Sequence, residues 1–138
     1  MTILEALWSY FQQCELLEEG VLHVNYLGSN RIEYTLDETP AEPIVKTYVD
    51  GSTIRQKVFV FASREYYEPD ALVNIASSGF YERLINWIEE QNEEGNLPEL
   101  PGVLSSQKLE ILSQQYLFQA EEDRARLQIQ ARLLYYKP

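Results

Sequence analysis

Apolar residues recur at helical spacing at the start of the chain. Ile3, Leu7, Phe11, Cys14 and Leu17 lie three or four positions apart, widened by Leu4, Trp8 and Tyr10 and flanked by Glu5, Glu15 and Glu18. Thr2 with Glu5 three residues on fits a capping box, and Gly20 ends the run, so the spacing predicts a helix over Thr2–Glu19. The period then changes. Val21–Leu27 suits a short strand, Gly28-Ser29-Asn30 a turn, and Arg31–Leu36 an alternating strand. Pro40 and Pro43 mark a connecting loop. Ile44–Val49 and Ile54–Arg64 read as the arms of a hairpin around Asp50-Gly51, where glycine tolerates the positive φ of a tight turn.

Pro69-Asp70 opens a second helical segment with Leu72, Ile75, Ala76, Phe80, Leu84, Trp87 and Ile88 on one face, ending at Gly95. Ser77-Ser78-Gly79 sits inside it, which predicts a kink or two abutting helices. Asn96–Gly102, with Pro98 and Pro101, is a loop; Gln107–Phe118 is mixed in pattern and favours a strand; Ala120–Arg124 is an acidic turn. Ala125–Tyr136 alternates most cleanly, with Ala125, Leu127, Ile129, Ala131, Leu133 and Tyr135 on one side and Arg126, Gln128, Gln130 and Arg132 on the other. Helix, strands, helix, strands is an α+β order: an antiparallel or mixed sheet of about four to five strands with helices packed on one face.

The chain has 138 residues, 45% of them apolar, with 10 Tyr and 5 Phe, which suits one domain over residues 1–138 with a substantial core. No apolar run is long enough to span a membrane, and Met1–Glu5 has no basic region, so neither a membrane contact nor a secretory signal is expected. A single cysteine excludes an internal disulfide. The formal net charge of −11 argues against holding nucleic acid by phosphate neutralisation. That charge is uneven: Met1–Asn30 has no Lys or Arg, and Asp70–Leu100 has only Arg83.

Candidate chemistry is sparse. His23 is the lone histidine, and His catalysis needs a partner base or an orienting group. Cys14 falls on the apolar stripe, where a free thiol acts as a small hydrophobe, and these two residues cannot supply a usual zinc site. There is no phosphate loop and no nucleophile elbow. Carboxylates are plentiful, but no ligand-like cluster stands out, so no catalytic, cofactor-binding or metal residue is assigned and no enzyme is expected.

Two polar groupings remain. Glu89, Glu90, Glu93 and Glu94 crowd the end of the second helix, where negative charge opposes the helix dipole. An ordinary solvated helix end accounts for them; so does an acidic rim or lumen, or a face for a basic patch on a neighbour. In the hairpin, Arg55, Lys57 and Phe59 share one face and Ile54, Val58 and Val60 the other. The Val58 and Val60 face is expected to pack on the helices. Arg55, Lys57, Arg126, Gln128, Gln130 and Arg132 are then either a solvated sheet face or a subunit interface, where arginine pairs well with carboxylates.

Three ordered blocks carry a family likeness: YVDGSTIRQKVFVFASREYY, NIASSGFYERLINWIEEQNEEGNLPEL and QKLEILSQQYLFQAEEDRARLQIQARLLYYK. Together they resemble the small tail proteins of long-tailed phages and prophages of Gram-positive bacteria, labelled minor capsid, tail terminator, tail completion or head–tail joining proteins. The likeness spans roughly residues 31 to 137; before that, the match is mainly a leading helix. It implies an α/β fold with a central antiparallel sheet, and a hexameric ring that caps the tail tube, ends its polymerisation and offers a surface to the head. The implied partners are further copies, the tail-tube protein and a head-completion or connector protein. DNA passes through without specific binding. The implied location is the virion tail, reached from the host cytoplasm, and no catalysis is implied. The family offers no motif-defined site residues. A connector-side adaptor or a tail-tube subunit fits the same size and fold, and a monomeric acidic binding module is the rival from another class.

Overall fold

The computed structural model describes residues 2–14, 17, 21–24, 33–66, 71–113, 116–120 and 124–138. Helix α1 (Ile3–Phe11) starts as the capping box requires, with Thr2 Oγ1 accepting the Glu5 N–H at 3.0 Å. It ends earlier than its apolar stripe predicts. Cys14 and Leu17 stay buried all the same, because turn hydrogen bonds from Cys14 N–H to Phe11 O (3.0 Å) and from Leu17 N–H to Cys14 O (3.2 Å) keep the chain on the core. The Gly20 stop lies outside the described residues, as do the 28–30 turn and most of the 120–124 turn.

The strands are β1 (Val21–Val24), β2 (Glu33–Glu38), β3 (Ile44–Thr47), β4 (Thr53–Tyr66), β5 (Ser105–Ile111), β6 (Tyr116–Ala120) and β7 (Arg124–Lys137). They form one seven-stranded sheet in the order β1-β2-β4-β7-β5, with β3 also on β4 and β6 also on β7. All pairings are antiparallel except β1 with β2. The spine is β4 against β7, paired along 14 residues each from Thr53↔Lys137 to Tyr66↔Arg124.

Each flank of the spine is one strand in two pieces. On β4, β2 covers Phe59–Arg64 and β3 covers Thr53–Arg55. Pro40 and Pro43 between them have no N–H for the ladder, so pairing opens there. It holds only at the margins, where Thr39 N–H reaches Val58 O at 3.1 Å and Gln56 N–H reaches Pro43 O at 2.9 Å. On β7, the strand expected over Gln107–Phe118 is broken into β5 and β6. The N–H groups of Leu112 and Ser113 both point at Gln130 O (2.7 and 3.2 Å), while Ser113 Oγ accepts the Gln130 N–H at 3.0 Å. The expected count of about four to five matches the five positions of the main strand order, and the breaks raise it to seven.

The core lies between one face of this sheet and the two helices. Tyr34, Leu36, Phe59, Phe61, Leu109, Ile129, Ala131, Leu133 and Tyr135 supply the sheet side. Leu4, Leu7, Tyr10 and Phe11 come from α1, and Phe80, Tyr81, Leu84 and Ile88 from α2 (Ala71–Glu94). The Phe11 ring sits 5.7 Å from Phe61 and 6.0 Å from Phe59, and Tyr34 stacks on Phe80 at 5.4 Å. One expectation is reversed here. Val58 and Val60 are buried, but on the reverse face, outside this cluster; Phe59 and Phe61 meet the helices. Both faces of β4 are apolar, and the one with the larger rings gains more by covering.

Helix α2 also differs from expectation: it runs as a single helix of 24 residues through Ser77-Ser78-Gly79. The cost of about 1 kcal/mol for an interior glycine is outweighed by burying the Phe80-to-Ile88 face. Its end is a Schellman motif. Gly95 takes φ +74°, its N–H reaches Asn92 O at 3.2 Å, and Asn96 N–H reaches Gln91 O at 2.9 Å.

Candidate subunit interface

The six basic and polar residues expected to share an interface do not share a face. Strand register sets Arg55 opposite Tyr135 and Lys57 opposite Leu133, on the helix side of the sheet. Gln128, Gln130 and Arg132 pair with Ala62, Val60 and Val58 on the reverse side. Arg126 lies opposite Arg64 in β4 and Gln119 in β6, and its side chain is outside the described residues.

Several of these groups are already engaged within the chain. Arg132 places Nε and Nη2 on Glu110 Oε2 at 2.8 and 2.7 Å, and Nη1 on Gln56 Oε1 at 3.1 Å. Lys57 Nζ stands 3.1 Å from Glu38 Oε2. Gln128 is only 5% exposed and bonded internally. Gln130 is half-buried at the flank break. Arg55 is the exception: its Nε donates to Thr53 Oγ1 at 3.1 Å, and among the described residues no carboxylate pairs with it.

Glu89, Glu90, Glu93 and Glu94 project from the last turns of α2, all exposed, with no ion-pair partner among the described residues. No basic residue occupies the last turn to offset the helix dipole. Three contacts fix this end in place. Asn92, on the turn between the glutamates, faces inward and holds Leu109 of β5 by both backbone groups, with Nδ2 to Leu109 O at 2.7 Å and Leu109 N–H to Oδ1 at 3.0 Å. Ser106 Oγ donates to Pro98 O in the loop beyond the helix. Tyr10 Oη donates to Asn96 O at 3.0 Å, tying α1 to the same loop. Burial of that hydroxyl, with a smaller effect from Cys14, pushes its pKa well above the usual tyrosine value, so it stays a neutral donor.

Sequence reasoning missed the exposure of the hairpin. Residues 40–51 are exposed throughout, and β3 is covered on neither face. Ile44, Val45 and Tyr48 are well exposed, and Val49, at 109%, is as open as a side chain can be. The signal was present: Pro40 and Pro43 detach this segment from β2. Lys46 lies over the Tyr48 ring at 4.9 Å and has no ion-pair partner among the described residues. At the tip, the Ser52 side chain and backbone both donate to Asp50 Oδ1 and hold that carboxyl below the usual range.

A cleft of about 310 Å³ lies between α1 and the 96–99 loop, lined by Ser9, Tyr10, Gln13, Asn96 and Glu99 among others. Its tyrosine is committed to Asn96, and a single carboxylate there provides no acid–base pair. Among the described residues, no three His, Cys, Asp or Glu side chains converge as a metal site would need, and no helix is long and apolar enough to cross a membrane. His23 sits in β1 opposite Thr35, with its side chain outside the described residues. No family model matches the sequence, and no curated protein matches it.

Proposed function

We propose that this chain is a structural phage tail protein of the terminator type, which caps the tail tube as a hexameric ring, ends its polymerisation and presents a joining surface to the head. The observation that carries the reading is the separation of unpaired charge on a rigid α+β frame. An exposed edge strand bearing Lys46 lies at one side, and an anchored helix end bearing Glu89, Glu90, Glu93 and Glu94 at the other. Such a frame suits repeated contacts between identical copies. The resemblance over residues 31 to 137 supports the particular role.

On this reading the partners are further copies, the tail-tube protein and a head-completion or connector protein, and the location is the virion tail after assembly in the host cytoplasm. The function is assembly without catalysis. DNA passes through unbound, because an acidic rim repels phosphate where a basic one would grip it. The decisive experiment adds the purified chain to polymerising tail-tube protein and measures tube length by electron microscopy. Tubes of arrested length with a ring density at one end are expected. Tubes that grow on unaffected, or that incorporate the chain along their length, overturn the terminator role.

A further inference from the structure

We infer that Asp50-Gly51 is a latent site of isoaspartate formation, which the folded hairpin tip holds unreactive through Ser52. Such a site bears on the lifetime of the exposed arm, whether or not copies of the chain form a ring.

Asp50 is the only Asp or Asn in the chain that precedes a glycine. The reaction needs that pairing, because a residue without a Cβ lets its own nitrogen approach the preceding carboxyl carbon. The Gly51 nitrogen attacks Asp50 Cγ, a C–N bond forms, a C–O bond breaks and one water leaves, giving a five-membered succinimide. Water then adds at the main-chain carbonyl of Asp50 and breaks its bond to the Gly51 nitrogen, so the chain runs on through the side chain. The product is an isomer with one extra backbone carbon. Nothing is oxidised or reduced, and water is the only co-reactant. Asp50 and Gly51 are both exposed, so water reaches them freely.

Three contacts oppose the first step. The Gly51 N–H is already donated to Tyr48 O at 3.0 Å. The Asp50 side chain reaches past that nitrogen, and its Oδ1 accepts the Ser52 N–H at 3.0 Å and the Ser52 hydroxyl. The Tyr48 N–H, bonded to Ser52 O at 2.8 Å, closes the turn around both. Ser52 is only 6% exposed beside an open Asp50 and Gly51, so its hydroxyl is held as a donor instead of turning to water. Hydrogen bonds to the charged form also keep the carboxyl ionised, below its usual range. A carboxylate has no hydroxyl to lose as water, so it must first take up a proton. Gly51 sits at φ +90°, a backbone that favours glycine. The residue that makes the turn tight is thus the one that makes the pair reactive.

The reaction would loosen the arm that carries it. Among the described residues β3 pairs with β4 alone, in a register that begins at Thr47↔Thr53 beside the tip. An extra carbon between Asp50 and Gly51 cannot keep both that register and the Tyr48–Ser52 closure, so Ile44–Thr47 and the exposed Tyr48 and Val49 lose their support.

The test stores the full-length chain at neutral pH for several weeks, native in one sample and unfolded in guanidinium chloride in the other. The tryptic peptide 47–55 is then read by mass spectrometry with electron-transfer fragmentation, and isoaspartate is counted by enzymatic methylation. Isoaspartate at position 50 is expected to form at least about tenfold more slowly in the native chain, because the native hydrogen bonds must open first. Asp37-Glu38, in the same digests, should lag far behind in the unfolded sample. Ser52→Ala, with the tip shown to be closed by slow exchange of the Gly51 amide, should react at least about threefold faster than wild type. Equal rates in native and unfolded wild type, or no isoaspartate at 50 in the unfolded chain, overturn the proposal. A Ser52→Ala variant with a closed tip and the wild-type rate overturns the part given to Ser52. If its tip opens instead, the rate should reach that of the unfolded chain, and a rate still at the native value overturns the protection.

Discussion

Asn92 has the most to lose of any residue among the glutamates. Its amide takes both the N–H and the C=O of Leu109, on the side of β5 away from β7. Asn92→Ala should cost about 2 kcal/mol, since two half-buried backbone groups lose their partners. Denaturant unfolding measures the loss, and faster hydrogen exchange at Leu109 locates it. Tyr10 gives a pH signature. Its folded pKa lies above the unfolded value of about 10, so the native state keeps a proton that the unfolded chain releases. Stability from this group is flat below pH 10 and falls as pH rises beyond it. Tyr10→Phe should flatten that alkaline slope, while losing about 1 kcal/mol at neutral pH because Asn96 O loses its donor. Denaturation midpoints from pH 8 to 11 in both proteins decide this. At this scale the sequence spoke least. Arg132 looked available because Glu110, which holds it, sits 22 residues earlier on another strand, and no local pattern links them.

Elements were legible where one period dominated. β7 alternates cleanly, and its Ile129, Ala131, Leu133 and Tyr135 side meets the helices as the pattern requires. β4 was legible as a strand but not in orientation. Val58, Val60 and Ala62 make its second face apolar too, so alternation alone could not choose the helix side. Propensity misled at Ser77-Ser78-Gly79, where packing downstream overrides weak helix formers. The assigned orientation predicts an asymmetry. Phe61→Ala, which empties a site against Phe11, Tyr34 and Tyr81, should cost about 3–5 kcal/mol. Val60→Ala on the reverse face should cost less than half of that. Equal losses in urea unfolding would reverse the assignment of faces.

At the level of the whole molecule, salt should act in opposite directions on folding and on assembly. A net charge of −11, with an acidic helix end that no cation offsets, means self-repulsion within the monomer. Screening from about 0.02 to 0.5 M salt should raise the Tm of the monomer by a few degrees. The same screening should weaken any copy-to-copy contact that sets the acidic helix end against a cation of its neighbour. Thermal scans at low protein concentration and sedimentation at high concentration separate the two trends; a parallel response would remove charge as the organising force. The interrupted flanks bear on a different matter, the chain's capacity to change. A residue inserted into a continuous strand turns every later side chain to the wrong face. Here the breaks at 40–43 and from Leu112 onward lie beside an unbroken β4–β7 spine. They act as expansion joints, where sequence length can drift while the alternation that builds the core stays in phase.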